Sequence, residues 1–220
     1  MATDNSPSRM DLRKQRTRAA LIKSAQTFIA DGQLEVPVQD ICQAADVGVG
    51  SFYNHFDSKE ELFQAAINDV IDAQGTLLDA LTDAIEDPAE QFAARYRLTG
   101  RLIRLRPKES RIAVTLGMRL IMAEKGLGPR GIRDIGAAAA AGRLTVKDPE
   151  LAMVISAGSL LALGELLHGQ PERDDAETVD DVTESLLRLF GMPADEAQRI
   201  ARSPLPDIAW VADVDLDQLS

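Results

Sequence analysis

The chain is short of several things that equip other proteins of its size, and each shortage excludes something. A single cysteine, Cys42, has no partner for an intrachain disulfide and fits a reducing, cytoplasmic setting. There are two histidines, His55 and His168, and neither sits in a metal-ligand spacing, so no metal centre and no cofactor is implied. No Ser/His/Asp grouping suggests nucleophilic catalysis, and an enzyme is not expected. Aromatic residues make up 4% of the chain and β-branched runs are scarce, which favours helices over sheets. Residues 1–8 hold no apolar stretch, so no signal peptide is expected. The longest apolar run, Leu151 to Gly164, is ended by Glu165 before the roughly 18 residues a membrane-spanning helix needs. It reads as a buried core or interface helix, and no membrane partner is expected. Gly126-Leu127-Gly128-Pro129-Arg130-Gly131 has dinucleotide-loop spacing. It follows a helical stretch rather than a strand, so it reads as a helix-breaking loop.

What is present is a 220-residue chain, 45% apolar, long enough for one small and one medium domain around real cores. Its formal net charge of -11 would on average repel nucleic acid. The charge is uneven, however. Arg9, Arg13, Lys14, Arg16, Arg18 and Lys23 crowd a stretch with one acid, Asp11, whereas Pro171 to Glu184 holds one base, Arg173, among many acids. Such asymmetry suggests a nucleic-acid face at the basic end, although a solvated helix face would look the same.

Apolar spacing predicts an all-α chain. Leu12, Ala19, Ile22, Ala25, Phe28 and Ile29 mark a helix over residues 11–30, stopped at Gly32, after a disordered segment of residues 1–10. Pro37 opens a short helix to Ala45, Asp46-Val47-Gly48 turns, and Val49 to His55 forms a second short helix. Ser58 with Glu61 is a capping box that starts a long helix to about Ala84. Further helices are expected from Asp87-Pro88 to Leu105, from Lys108 to Glu124, across residues 131–142, from Asp148-Pro149 to His168, and from Thr178 to Phe190. The domain boundary is expected at residue 58, and residues 203–220 read as a loosely ordered acidic tail.

Two short helices about a three-residue turn make a helix-turn-helix. Its first helix must pack an apolar face, which Ile41, Cys42 and Ala45 provide. Its turn must accept left-handed backbone, which Asp46 tolerates. Its second helix needs small residues to enter a groove (Gly48, Val49, Gly50 and Ser51) and polar side chains to reach phosphates and base edges (Ser51, Tyr53, Asn54 and His55). Phe52 and Phe56 are expected to face the core.

These residues carry a resemblance. The stretch Val38 to Leu62 resembles the signature of the TetR family of transcription regulators, above all in Gly50-Ser51-Phe52-Tyr53, His55-Phe56 and Ser58-Lys59-Glu60-Glu61-Leu62. Pro37, Asp46 and Gly48 depart from it at cap and turn positions. The resemblance implies that Gln39 touches phosphate or base, that Gly50 and Ser51 approach bases, that Tyr53 and His55 hold the DNA backbone and that Lys59 binds phosphate. Gly48, Val49 and Asn54 join them near the bases, and Arg16 in the basic arm faces phosphate. The implied partners are a double-stranded operator, a second copy of the chain and a small apolar or amphipathic effector.

For the second domain the resemblance implies a dimer face on the two late helices, with Leu151, Ile155, Gly158, Ala162, Val182, Leu186 and Leu189 as candidates. Phe92, Tyr96, Thr115, Met118 and Met122 lie on stripes that suit an effector pocket, although such stripes are more often plain core. The expected function is a homodimeric repressor released by a ligand. The competing expectations are a regulator without a small-molecule effector and a helical adaptor that no longer binds DNA.

Overall fold

The computed structural model describes residues 8–117 and 127–209, and all regular structure among them is helical. The chain parts into two compact units, one reaching Asp69 and the other beginning at Val70.

The first unit holds α1 (Arg9–Ala30), α2 (Val38–Ala44), α3 (Val49–Phe52) and the opening turns of α4 (Lys59–Thr82). Ser8 and Asp11 form a reciprocal capping box, so α1 starts before its apolar repeat and takes in Arg9 and Met10 from the segment expected to be disordered. Gly32 (φ 72°) ends α1, with the Gln33 N–H donating to the Phe28 carbonyl at 2.8 Å. Leu21, Ile22, Ala25 and Ile29 are buried, whereas Leu12 is exposed. The buried Ser24 hydroxyl donates to the Ile41 carbonyl, which ties α1 to α2. Gln26 Nε2 donates to the Ala66 carbonyl, which ties α1 to α4. Leu62, Phe63, Ala66 and Ile67 are buried as well. The boundary expected at residue 58 therefore falls inside α4, because its first turns complete the small core.

The second unit continues α4 and adds α5 (Pro88–Leu105), α6 (Pro107–Leu116), α7 (Leu127–Ala140), α8 (Pro149–Gly169), α9 (Asp175–Leu189) and α10 (Ala194–Ala201). Asp87, Asp148 and Asp174 accept N–H bonds from the first turns of α5, α8 and α9, each as an N-cap. The main core gathers Phe92, Tyr96, Ile103, Ile135, Leu163, Leu167, Val179 and Leu187 about α5. A second cluster packs Leu78 of α4 on Leu98 and Leu102 of α5.

Several sequence expectations change here. The glycines and proline of 128–131 do not break a helix but lie in the first turns of α7, where the N–H that proline lacks would have no intrahelical partner. Residues 118–126, the end of the helix expected from Lys108, fall outside the described residues. α8 runs to 21 residues, past Glu165, and is long and apolar enough by composition to cross a membrane, yet it packs against α5, α6, α7 and α9. The tail expected to be loose from Ser203 is packed at least to Ile208, which joins the Leu78 cluster. α10 lies outside every helix expected above and buries Ala197, Ile200 and Ala201.

Candidate nucleic-acid interface

The helix-turn-helix begins with α2, whose Ile41 and Cys42 are buried while Gln39 is exposed. Asp46 makes the turn with φ 53°, the left-handed conformation its position demands. Burial pushes the Cys42 thiol upward, so it stays protonated as a core group. α3 is shorter than the sequence predicts. It spans one turn, Val49–Phe52, and the chain then tightens, with Asn54 N–H donating to the Ser51 carbonyl and His55 N–H to the Phe52 carbonyl. These i to i+3 bonds keep Tyr53, Asn54 and His55 close to the helical path.

Phe52 and Phe56 are buried, as expected. Tyr53 is 60% exposed, with its ring edge-on to Phe52 at 5.1 Å between centroids. The ring is thus braced by Phe52 while most of the residue is open to solvent. Val49, Gly50 and Asn54 are exposed, and Ser51 and His55 are half-buried. Gly48 and Gly50 carry a different signal. A β-carbon at either would meet no atom of the chain within 4 Å. Packing within the protein does not require glycine there, so any demand for a bare backbone comes from outside the chain.

The basic arm comes to the same surface through Lys14 and Arg18. Burial, then the charges of Lys14 and Arg18, hold the His55 imidazole below its ordinary pKa. Arg18 also lies over the Phe56 ring, 5.1 Å from its centroid. Arg16 is exposed, but two residues from each it projects from roughly the opposite side of α1. Lys14 and Arg18 were part of the basic cluster in the sequence. Only the 3.6-residue period of α1, placed against α3, separates them from Arg16.

Lys59 has a structural engagement that sequence does not reveal. Its ammonium donates to the Leu34 carbonyl at 3.1 Å, sits 3.8 Å from Glu35 and 5.8 Å from the Phe63 ring. It pins the loop after α1 to the start of α4. The cap itself is built from Ser58 Oγ, which accepts from Glu61 N–H, and Glu61, which accepts from Asp57 N–H.

In the second unit the candidate residues separate. Phe92 and Tyr96 are buried in the main core, where Phe92 meets Phe190 at 6.2 Å between centroids. Burial pushes the Tyr96 phenol up to about 12, and its hydroxyl pairs with Ser159 at 2.8 Å. Thr115 lies near the end of α6, and Met118 and Met122 lie outside the described residues. On the late helices Leu151, Ile155 and Ala162 of α8 and Leu189 of α9 are exposed. Leu186, placed on that face by sequence, is instead buried in the chain's own core, with Val182 packed against it. The apolar stripe of α9 faces α5, and Leu189 lies off it. Gly158 has open space at its β-carbon, whereas Gly164 lets Val114 of α6 approach. His168 Nε2 pairs with Ser110 Oγ at 2.8 Å. Among the described residues no cluster of His, Cys, Asp and Glu is placed to hold a metal.

Comparison with known proteins agrees with this geometry. Residues 21–66 match the model for bacterial regulatory proteins of the tetR family, and residues 87–203 match the tetracyclin repressor-like C-terminal domain. The transcriptional repressor DhaR of Mycobacterium sp. (strain GP1) is 40% identical over 71 residues, 32% of this chain and 36% of DhaR. The transcriptional regulator TcmR of Streptomyces glaucescens is 31% identical over 97 residues, 44% of this chain and 42% of TcmR. The aligned stretches thus span well under half of these two relatives. The solved structure of RolR without ligand is 32% identical, with a TM-score of 0.73 over 86% of this chain and 98% of RolR. RolR in complex with resorcinol gives a TM-score of 0.66 over 90% of this chain and 98% of RolR. An exposed helix-turn-helix surface, a helical second unit and these matches place the chain in the TetR family of non-enzymatic, DNA-binding transcription regulators.

Proposed function

We propose that the protein is a homodimeric repressor, released from a palindromic operator when a small hydroxylated aromatic binds its second unit. The observation that carries the DNA half is the edge of α2 and α3. Tyr53, Asn54 and two sterically unrequired glycines are exposed there, beside a histidine that feels Lys14 and Arg18. Gln39, Gly48, Val49, Gly50, Ser51, Tyr53, Asn54 and His55 are the contacts on this reading, with phosphates held by Lys14 and Arg18. Lys59 positions the loop and has donors left for a phosphate. The ligand half draws on the likeness to RolR over nearly its whole length, and RolR takes resorcinol. The dimer half draws on exposed Leu151, Ile155 and Leu189, with Gly158 and Ala162 alongside. A two-fold pair would set two α3 segments about 34–36 Å apart, one DNA turn.

The competing reading, a regulator without a small-molecule effector, draws on the packing of Phe92, Tyr96 and Phe190 into one another. One experiment separates the two. An operator is selected from random duplex DNA, and binding is followed by gel shift with and without resorcinol, catechol and phenol. Release by a hydroxylated aromatic, with a dimer by light scattering, is the expected result. Stable operator binding that none of them changes would favour the competing reading.

A further inference from the structure

The leading turns of α1 add nothing to the core of their own unit. Residues 9–16 are all exposed, and no residue of α1 before Leu21 is buried. Residues 9–20 therefore carry the helix about 18 Å beyond its core-forming part, at about 1.5 Å per residue. This arm holds five bases, Arg9, Arg13, Lys14, Arg16 and Arg18, and one acid, Asp11. Asp11 belongs to the cap. Its carboxylate accepts from the Ser8 N–H at 3.1 Å and from the Ser8 hydroxyl at 2.7 Å.

The charge works against this helix. Bases near an α-helix N-terminus oppose its dipole. Arg9 with Arg13, Arg13 with Arg16, and Lys14 with Arg18 also set like charges one turn apart. The Ser8–Asp11 box keeps the first turn helical in spite of them. Helix stability does not explain the bases, and neither does the core, so they answer to something outside the chain.

The 3.6-residue period sorts them onto two sides. Lys14 and Arg18 lie toward the motif, where their charges act on His55 and Arg18 covers the Phe56 ring. Arg9, Arg13 and Arg16 share the other side of α1, within about 60° of one another at about 100° per residue. A flat acidic surface would engage one side and leave the other in water. A groove between two rows of phosphates engages both. The minor groove of duplex DNA, about 6 Å wide, has that form. Long arginine side chains on a helix lying over it reach the phosphates on either side, and the guanidinium fork matches them.

We infer that the leading turns of α1 lie over the minor groove flanking each operator half-site, with Lys14 and Arg18 on the near row of phosphates and Arg9, Arg13 and Arg16 on the far row. The inference rests on the DNA-binding reading above and extends its contacts outward, continuous with the edge of α2 and α3. The protein then grips about half a DNA turn, roughly 5 base pairs, beyond each half-site. Phosphate contacts carry no sequence information. They add affinity, register and salt dependence.

The test uses two duplexes that share the selected operator, one trimmed at the ends of the palindrome and one with about 10 further base pairs, one DNA turn, on each side. Full-length wild-type protein is expected to bind the flanked duplex about tenfold or more tightly. The triple variant Arg9→Gln, Arg13→Gln, Arg16→Gln keeps helix-forming side chains at exposed positions, so its thermal melt should match or exceed that of wild type. It is expected to lose the preference for the flanked duplex. Its slope of log affinity against log salt should become shallower by about 2–3 for each arm on the DNA. Equal flank preference and equal salt slope in the two proteins would overturn the inference. So would a variant altered only in its mass by ultracentrifugation, which would set the arm against the acidic stretch from Pro171 to Glu184 of another copy. If no operator is selected, the two salt slopes are compared on a random-sequence duplex, because phosphate contacts do not depend on sequence. A shallower slope for the variant there would support the arm while the repressor reading failed. No DNA binding of any kind would overturn both.

Discussion

Glycines in the two units answer to different constraints. In the first unit Gly48 and Gly50 look onto open space, and the polar side chains around them face outward. In the second unit Gly75, Gly100 and Gly164 each have a neighbouring side chain where a β-carbon would stand, and charged side chains turn inward onto one another. One surface is built to be completed by something outside the chain. The interior of the other unit is packed closed, with a polar seam through it, while Gly158 keeps open space beside its exposed Leu151 and Ile155. Substitutions should therefore part cleanly, lowering DNA affinity at constant stability in the first unit and lowering stability in the second.

The largest effect is expected at Asp180. It binds Arg97 through both oxygens, at 2.8 and 3.1 Å, and Arg101 at 2.7 Å, while Arg97 also donates to the Ser203 carbonyl. Asp180→Ala strands the buried Arg97 guanidinium and the half-buried Arg101 guanidinium and should cost about 3–5 kcal/mol by urea denaturation. Next is Gly100→Ala, whose new methyl would stand 2.5 Å from Val179 Cγ1, and about 1–3 kcal/mol should be lost. In the first unit the sign reverses. Gly50→Ala meets nothing and removes a flexible residue from a helix, so stability should rise by about 0.5–1 kcal/mol while operator affinity falls. A variant that loses stability at Gly50, or gains it at Gly100, would break the contrast between the units.

The smallest effect concerns pH. His55 is held below its ordinary pKa in the folded protein, so protonation favours the unfolded chain. Its contribution to stability is full above about pH 6.5 and is lost as pH falls below that. A phosphate beside His55 would pull its pKa back up. Operator affinity should then rise modestly from pH 7.5 to 6, and His55→Gln should flatten that rise when followed by fluorescence anisotropy.

Much of the first unit was legible because its signals are local. Gly32, Asp46 and the Ser58–Glu61 cap are backbone devices, and each stands where its residue type predicts. What could not be read there depends on distance across the fold. Lys14 and Arg18 are the bases near His55, and Lys59 also donates to the Leu34 carbonyl, contacts that only the packing of the unit sets. The second unit was legible in its caps and apolar stripes and not in its seam. No sequence pattern singles out Arg95, Arg133 or Asp134, and Arg130 falls in the loop expected at 126–131. Only the packing of α7 on α4 and α5 gathers them. Leu186 shows the same limit, since an apolar stripe does not say whether it faces the chain's own core or another copy.

The account stands most directly on Tyr53, an exposed residue whose ring is braced by Phe52 and which is not among the buried core residues. It is a cleaner probe than Lys59, whose loss would also release the Leu34 loop. The deciding measurement is the operator affinity of Tyr53→Ala by anisotropy at fixed salt, beside its thermal melt. The account predicts a loss of roughly tenfold or more with stability within about 0.5 kcal/mol of wild type. An unchanged affinity in a protein that melts like wild type would contradict it.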